Sequence, residues 1–160
     1  MKKVVLITEY LNPPYDEGIK KTVYNLFLEL DKIYELLVIC RYGFDKENIL
    51  IINTNPLFFS RQVHSIIKDF TPDSLIYFPF QSSTFASYLR LKILSLFSKY
   101  SNNIFIALQP KPLKNWQRFI VKFIKPQAAF TPSPDLKQYW DSIKIENKLI
   151  PLLTDLSIFK

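Results

Sequence analysis

Short apolar runs alternate along the chain with longer segments in which apolar residues recur every three or four positions. The short runs predict β-strands, and the longer segments predict helices with one apolar face. The predicted strands cover 3–8, 34–40, 49–52, 73–78, 103–108, 128–131 and 148–152. The predicted helices cover 19–30, 56–70, 82–100, 113–124 and 134–143.

The order of these elements predicts the class of fold. All predicted strands after the first mostly lack an in–out alternation of apolar and polar residues, which predicts burial on both faces. Strands that alternate with helices through right-handed crossovers predict a Rossmann-like α/β fold, with a doubly wound, mainly parallel sheet of about seven strands. At 160 residues the chain is predicted to form one domain, 1–160.

Composition and charge narrow the function classes. With 48% hydrophobic residues the chain can bury a sizeable core. Its formal charge of +7 is compatible with nucleic acid, an anionic membrane surface or a phosphorylated substrate, and equally with a lysine-rich surface of no special function. Because no recognised nucleic-acid motif and no dense basic stripe accompany that charge, we predict no nucleic-acid partner.

The cysteine content and the N-terminus predict a location in the cell. A single cysteine, Cys40, excludes an intramolecular disulfide and is typical of a reducing compartment. The opening MKKVVLIT is interpreted as a first strand rather than a signal peptide, and no run reaches the roughly 18 apolar residues of a membrane span. We predict a cytoplasmic protein, with peripheral attachment to the inner face of the membrane left open.

In a doubly wound sheet, ligands bind beyond the carboxyl ends of the strands. The segments at those ends are 9–18, 41–44, 79–83, 109–114 and 131–134. Gly18 lies directly before a predicted helix, whose free N–H groups and dipole favour an anion, with Lys20 and Lys21 nearby. The alternative is that Gly18 only shapes the turn.

Other site chemistries lack their motifs. The chain has two glycines and neither a GxGxxG nor a Walker loop, so we predict neither a dinucleotide cofactor nor any other. Its only histidine, His64, lies in the middle of a predicted helix, which favours a surface role over a base. One Cys and one His do not make a metal cluster. No catalytic residue is identified.

The segment 113–125 combines apolar residues at helical spacing with basic residues between them. The apolar positions are Trp116, Phe119, Ile120, Phe123 and Ile124. Such a stripe packs onto a sheet, and its basic flank also suits the surface of an anionic bilayer. Core packing and membrane contact both stay open at this point.

Three segments together resemble the N-terminal domain of family-4-type GT-B glycosyltransferases. The PPYDEG loop and the helix IKKTVYNLFLEL resemble the start of that domain, and AAFTPSPDLKQYW resembles its strand, serine and lysine-containing helix. The end of the chain is similar to the segment that closes the domain, with matching positions at Ile150, Pro151, Asp155 and Phe159. The chain departs from the family at Glu17, where a glycine is common, and at Gln109, where many members carry a histidine.

The resemblance implies transfer of a sugar from a nucleotide-sugar donor to a sugar or lipid-linked acceptor. In this family the N-terminal domain binds the acceptor, and a C-terminal domain holds the donor. Gly18 would then face the donor phosphates, and Phe80, Gln81, Gln109 and Ser133, all near strand ends, would line the acceptor side. Because the second domain is missing from this chain, we expect the chain to be inactive alone. The alternative is a non-catalytic Rossmann-like module that binds a ligand or recruits a partner.

Overall fold

The computed structural model describes residues 1–53, 58, 60–80, 83–97 and 102–150. The strands are β1 Lys3–Tyr10, β2 Glu35–Tyr42, β3 Ile49–Ile51, β4 Ser74–Phe78, β5 Asn102–Ile106, β6 Ala128–Thr131 and β7 Asn147–Leu149. The helices are α1 Gly18–Ile33, α2 Arg61–Phe70, α3 Phe85–Phe97, α4 Asn115–Ile124 and α5 Pro134–Ser142. The predicted alternation of strands and helices is confirmed.

All seven strands of the described chain form one sheet in the order β3-β2-β1-β4-β5-β6-β7. Every neighbouring pair is parallel. The sheet therefore grows in one direction from β1 through β2 and β3, and in the other from β4 through β7. This is the strand order of a Rossmann-like fold, and it confirms the predicted class.

The core lies in two layers, one on each face of the sheet. Alternate residues of β1 point to opposite faces, so Leu6 packs with Val23 and Phe27 of α1. On the other face Ile7 belongs to the cluster built with α2, α3, α4 and α5. Burial on both faces explains why the central strands lack a polar side.

Some predicted element boundaries are wrong for a physical reason. The prediction started the second helix at Pro56, which lies outside the described residues, whereas α2 begins at Arg61. Phe58 has a φ of 56°, which a helix does not accommodate. Ser60 is extended and its hydroxyl accepts a hydrogen bond from the backbone N–H of Gln62, so it caps the helix. The predicted cap Ser133 is confirmed, because its hydroxyl accepts from the N–H of Leu136 at 3.2 Å.

Helix α4 uses only part of its apolar stripe for the core. Val121 is buried, and Ile120 and Ile124 are half-buried on the same side of the helix. Phe119 and Phe123 are instead 62% and 69% exposed. Core packing therefore accounts for the aliphatic residues of the stripe and not for its aromatic ones. None of the helices among the described residues is long and apolar enough to cross a bilayer.

Gly43 lies in the short connection between β2 and β3, where the chain turns back and passes close to the core. A β-carbon added to Gly43 would lie 2.7 Å from Cys40 Sγ and 3.2 Å from Ile49 Cγ2. A contact under 3 Å requires the packed core around it to move. Gly43 is therefore fixed by close approach rather than by a left-handed backbone, since neither glycine has a positive φ.

We predict that Gly43→Ala lowers the free energy of unfolding by about 1–3 kcal/mol, because it overpacks the core beside Cys40. Gly18→Ala is the matched control, since a β-carbon there meets no atom within 4 Å. Its effect should stay within about 1 kcal/mol. Urea unfolding of both variants measures the difference, and equal stabilities would contradict the role of Gly43.

Candidate functional site

A crevice of about 230 Å³ opens at the carboxyl ends of β1 and β4. Its walls from the strand ends are Glu9, Tyr10, Arg41, Pro79 and Phe80. Its walls from α3 and the residue before it are Thr84, Ser87 and Arg90. The strands that follow β1 are added on one side of it, and those that follow β4 are added on the other side, so the strand order changes direction between β1 and β4. The loops beyond two such strands run to opposite faces of the sheet and leave a binding site between them.

The carboxylate of Glu9 holds the floor of the crevice together. Its Oε2 accepts from the backbone N–H of Phe80 at 2.8 Å. Its Oε1 accepts from the Tyr77 hydroxyl at 3.0 Å and from Arg90 Nη1 at 2.8 Å. The ion pair is largely shielded from water, with side-chain exposures of 10% for Glu9 and 20% for Arg90. Glu9 thus fixes the start of the loop after β4 and the position of α3.

The ionisation of this cluster follows from its burial. Burial raises the pKa of the Tyr77 phenol, and the neighbouring Glu9 carboxylate raises it further, so the phenol stays protonated and donates to Glu9. Burial opposes the charge of Arg90, but its contacts with Tyr77 and Glu9 outweigh that effect and raise the pKa of the guanidinium. Arg90 therefore remains a cation in the crevice.

One donor of Arg90 is left over. Its Nε is buried and has no hydrogen-bond acceptor within the described ranges. Buried donors are almost always satisfied by protein, water or ligand. Within those ranges the Nε of Arg90 therefore has no protein acceptor, while its Nη1 donates to Glu9 and to the Tyr77 hydroxyl.

The opposite side of the crevice is aromatic and basic. The ring of Tyr10 lies 4.3 Å from that of Phe80 and stacks at 4.8 Å on Tyr42. The guanidinium of Arg41 lies 5.7 Å from the centre of the Tyr42 ring. Arg41 has no carboxylate within ion-pair distance in the part of the chain that the structure describes. An unpaired cation beside aromatic faces suits a ligand that carries both hydroxyl and anionic groups.

The N-terminus of α1 adjoins the same crevice. Lys20, in the first turn of α1, places its ammonium 5.8 Å from the centre of the Tyr10 ring. Glu17 precedes the helix and makes no side-chain cap, so the first N–H groups keep their capacity for an anion. The space around Gly18 is open, which leaves the backbone accessible.

The structure brings together only some of the residues predicted from the sequence. Phe80 lines the crevice, and Gly18 begins the helix beside it. Gln81 lies outside the described residues. Gln109 has an exposed side chain, and its carbonyl accepts from the Ser83 N–H at 2.9 Å. Ser133 uses its hydroxyl as the cap of α5 and does not line the crevice.

Three charged residues of the crevice were not singled out from the sequence. Glu9 and Arg41 lie at the carboxyl ends of β1 and β2, within the end segments, so a charge at a strand end was the available signal. Arg90 lies on a mostly apolar helix and pairs with a residue 81 positions earlier. Its position beside Lys92 on that helix gives no sign of its partner.

Cys40 and His64 lie where the sequence suggested. Cys40 is fully buried, and burial raises the pKa of its thiol to about 12. It is therefore a core residue and not a nucleophile. His64 is exposed on α2 and stacks on the Phe97 ring at 4.8 Å. No three metal-ligating side chains come together in the described ranges.

Comparison with solved structures gives distant likenesses only in fold. No family model matches the sequence, and no curated protein matches it. The crystal structure of the Bordetella bronchiseptica enzyme WbmH in complex with NAD+ superposes with a TM-score of 0.49 at 13% identity. The alignment covers 91% of this chain and 64% of that one. The likeness is too distant to carry a function or a cofactor to this chain.

We predict that Glu9 and Arg90 are energetically coupled. A double-mutant cycle with Glu9→Gln and Arg90→Met should give a coupling energy of about 1–2 kcal/mol, because each single change leaves the other group buried without its partner. The exposed pair of Glu29 and Lys32 is the control, and its coupling should be too small to detect. Equal coupling in the two cycles would contradict the structural role of Glu9.

Proposed function

We propose that this chain, as a single domain over 1–160, is the acceptor-binding domain of a GT-B glycosyltransferase that uses a nucleotide-sugar donor. The crevice between the ends of β1 and β4 is its acceptor site. The observation that carries this proposal is the position of the crevice, which has polar and aromatic walls. It lies where the strand order changes direction between β1 and β4, and Rossmann-like domains bind their ligands at that place. The resemblance of three sequence segments to that family supports the same assignment.

The chemistry of the crevice supports a sugar as its ligand. The aromatic side chains of Tyr10 and Phe80, which pack against each other in the wall, give it apolar surface for the C–H side of a sugar. Thr84 and Ser87 add hydroxyl groups to the wall, and Arg41 and Arg90 supply donors. Glu9 is already engaged by three donors, so we assign it a positioning role.

The start of α1 supports a neighbouring donor site. Gly18 leaves space for a phosphate at the helix N-terminus, with Lys20 in the same first turn of the helix. In this proposal a second domain supplies the remaining contacts to the nucleotide-sugar, and no resident cofactor takes part. The chain by itself then binds acceptor but transfers no sugar.

A sugar-transfer assay tests whether the chain needs a separate donor-binding domain for activity. The chain alone, supplied with nucleotide-sugars and sugar acceptors, should show no turnover. In an enzyme completed by its donor-binding domain, Gly18→Ala should lower turnover about tenfold or more, because the added methyl group takes up space at the phosphate while changing the free energy of unfolding by no more than about 1 kcal/mol. Turnover by the chain alone, or unchanged turnover in the completed variant, would refute the proposal.

Calorimetric titration tests the acceptor site. Phosphorylated monosaccharides should bind the chain, and Arg41→Met should weaken that binding about tenfold, the effect of losing one charge-assisted hydrogen bond. Arg61→Met, which removes an exposed arginine at the start of α2, should leave it unchanged. Equal loss in both variants would mean that bulk charge and not the crevice binds the ligand.

One observation favours a second candidate, a stand-alone module without catalysis. The residues of this chain that line the crevice already include aromatic rings, hydroxyl groups and two guanidinium groups, so the domain offers a ligand contacts of its own. A module of this kind would bind its ligand in the titration above and would show no transfer in any complex. The completed-enzyme assay separates the two candidates.

A further inference from the structure

The aromatic residues of α4 form a stripe that points away from the core. Trp116, Phe119 and Phe123 are 55%, 62% and 69% exposed and lie at spacings of three and four, on one side of the helix. The rings of Phe119 and Phe123 contact each other edge to face at 5.3 Å. These three residues, which we call the α4 stripe, form an exposed apolar row on the outside of the domain.

Net positive charge is concentrated in the part of the sequence that contains α4. Residues 74–134 contain eight of the 21 lysines and arginines and none of the 14 acidic residues. The rest of the chain is nearly balanced, with 13 basic and 14 acidic residues. The excess positive charge of the protein therefore comes from the stretch that contains α3 and α4.

The basic residues of α4 border the stripe on one flank. Arg118 lies with its guanidinium 5.7 Å from the centre of the Tyr139 ring on α5. Lys125 donates from Nζ to the carbonyl of Lys144 at 3.2 Å. Lys122 lies on the same flank and is exposed. The helix thus presents an aromatic ridge with cations beside it and no carboxylate of its own.

We propose that the α4 stripe docks this domain onto an anionic lipid bilayer. Aromatic side chains favour the interface between headgroups and acyl chains, and the flanking cations gain from the negative surface potential. Arg118, Lys122 and Lys125 form no ion pair with a carboxylate among the described residues. A protein partner could cover three exposed aromatic residues without using these cations, whereas an anionic bilayer uses both features. The helix lies in the plane of the surface and does not enter the hydrocarbon core.

Docking through α4 brings the crevice close to the lipid surface. Trp116 packs edge to face on Phe85 with ring centres 5.2 Å apart. Phe85 directly follows Thr84, which lines the crevice. A molecule displayed on lipid headgroups is therefore near the site. The docking itself goes beyond the proposed sugar transfer and does not depend on it.

Flotation of the full chain with lipid vesicles tests the docking. The chain should bind vesicles of phosphatidylglycerol and phosphatidylcholine at least about tenfold more strongly than vesicles of phosphatidylcholine alone, and salt should weaken that binding. The double variant Phe119→Ser/Phe123→Ser should lose about tenfold or more in partitioning. The control Ile33→Ser/Leu149→Ser, which removes exposed apolar residues elsewhere, should stay within about twofold.

Tryptophan emission locates the contact. Trp140 is fully buried and Trp116 is exposed, so a blue shift on adding anionic vesicles reports Trp116. Trp116→Phe should abolish that shift while binding persists. The proposal is overturned if the chain does not bind anionic vesicles, or if Phe119→Ser/Phe123→Ser binds as well as the control. It is equally overturned if light scattering shows an oligomer that only this stripe variant dissociates, since the stripe would then join copies of the chain.

Discussion

The site depends on the burial of one carboxylate. Glu9 lies near the end of β1 with its side chain shielded from water, and an isolated charge there would cost several kcal/mol. Three donors offset that cost, and they come from α3, from Tyr77 near the end of β4 and from the chain just after β4. Because those donors belong to separate elements, satisfying Glu9 fixes how α3 and the loop after β4 sit over the sheet.

This constraint coincides with the reversal of strand order. α1, which follows β1, packs on one face of the sheet, and α3, which follows β4, packs on the other face. The two connecting loops therefore separate and leave an opening between them. The aromatic rings of Tyr10 and Phe80 and the guanidinium of Arg41 occupy the walls of that opening. A fixed polar floor with aromatic and basic walls is an arrangement that can hold a ligand in one orientation.

The sequence predicted the class of fold and the edge of the sheet that carries the site, because both follow from local patterns. Buried parallel strands show as apolar runs, and their carboxyl ends place Glu9, Arg41 and Phe80 at one edge. The pairing of Glu9 with Arg90 joins residues 81 positions apart and has no local pattern. Which apolar residues of α4 face outward also depends on what packs beneath the helix, since Ile120 and Phe119 fit the same helical period.

The central claim is that the crevice beside Glu9 is the ligand site of this domain. Amide chemical shifts, followed by NMR while a phosphorylated monosaccharide is titrated into the chain, test it most directly. The account predicts saturable shifts that cluster at Tyr10, Arg41, Phe80 and Thr84, and little change on the far edge of the sheet at β7. Saturable shifts that cluster away from these residues would contradict it.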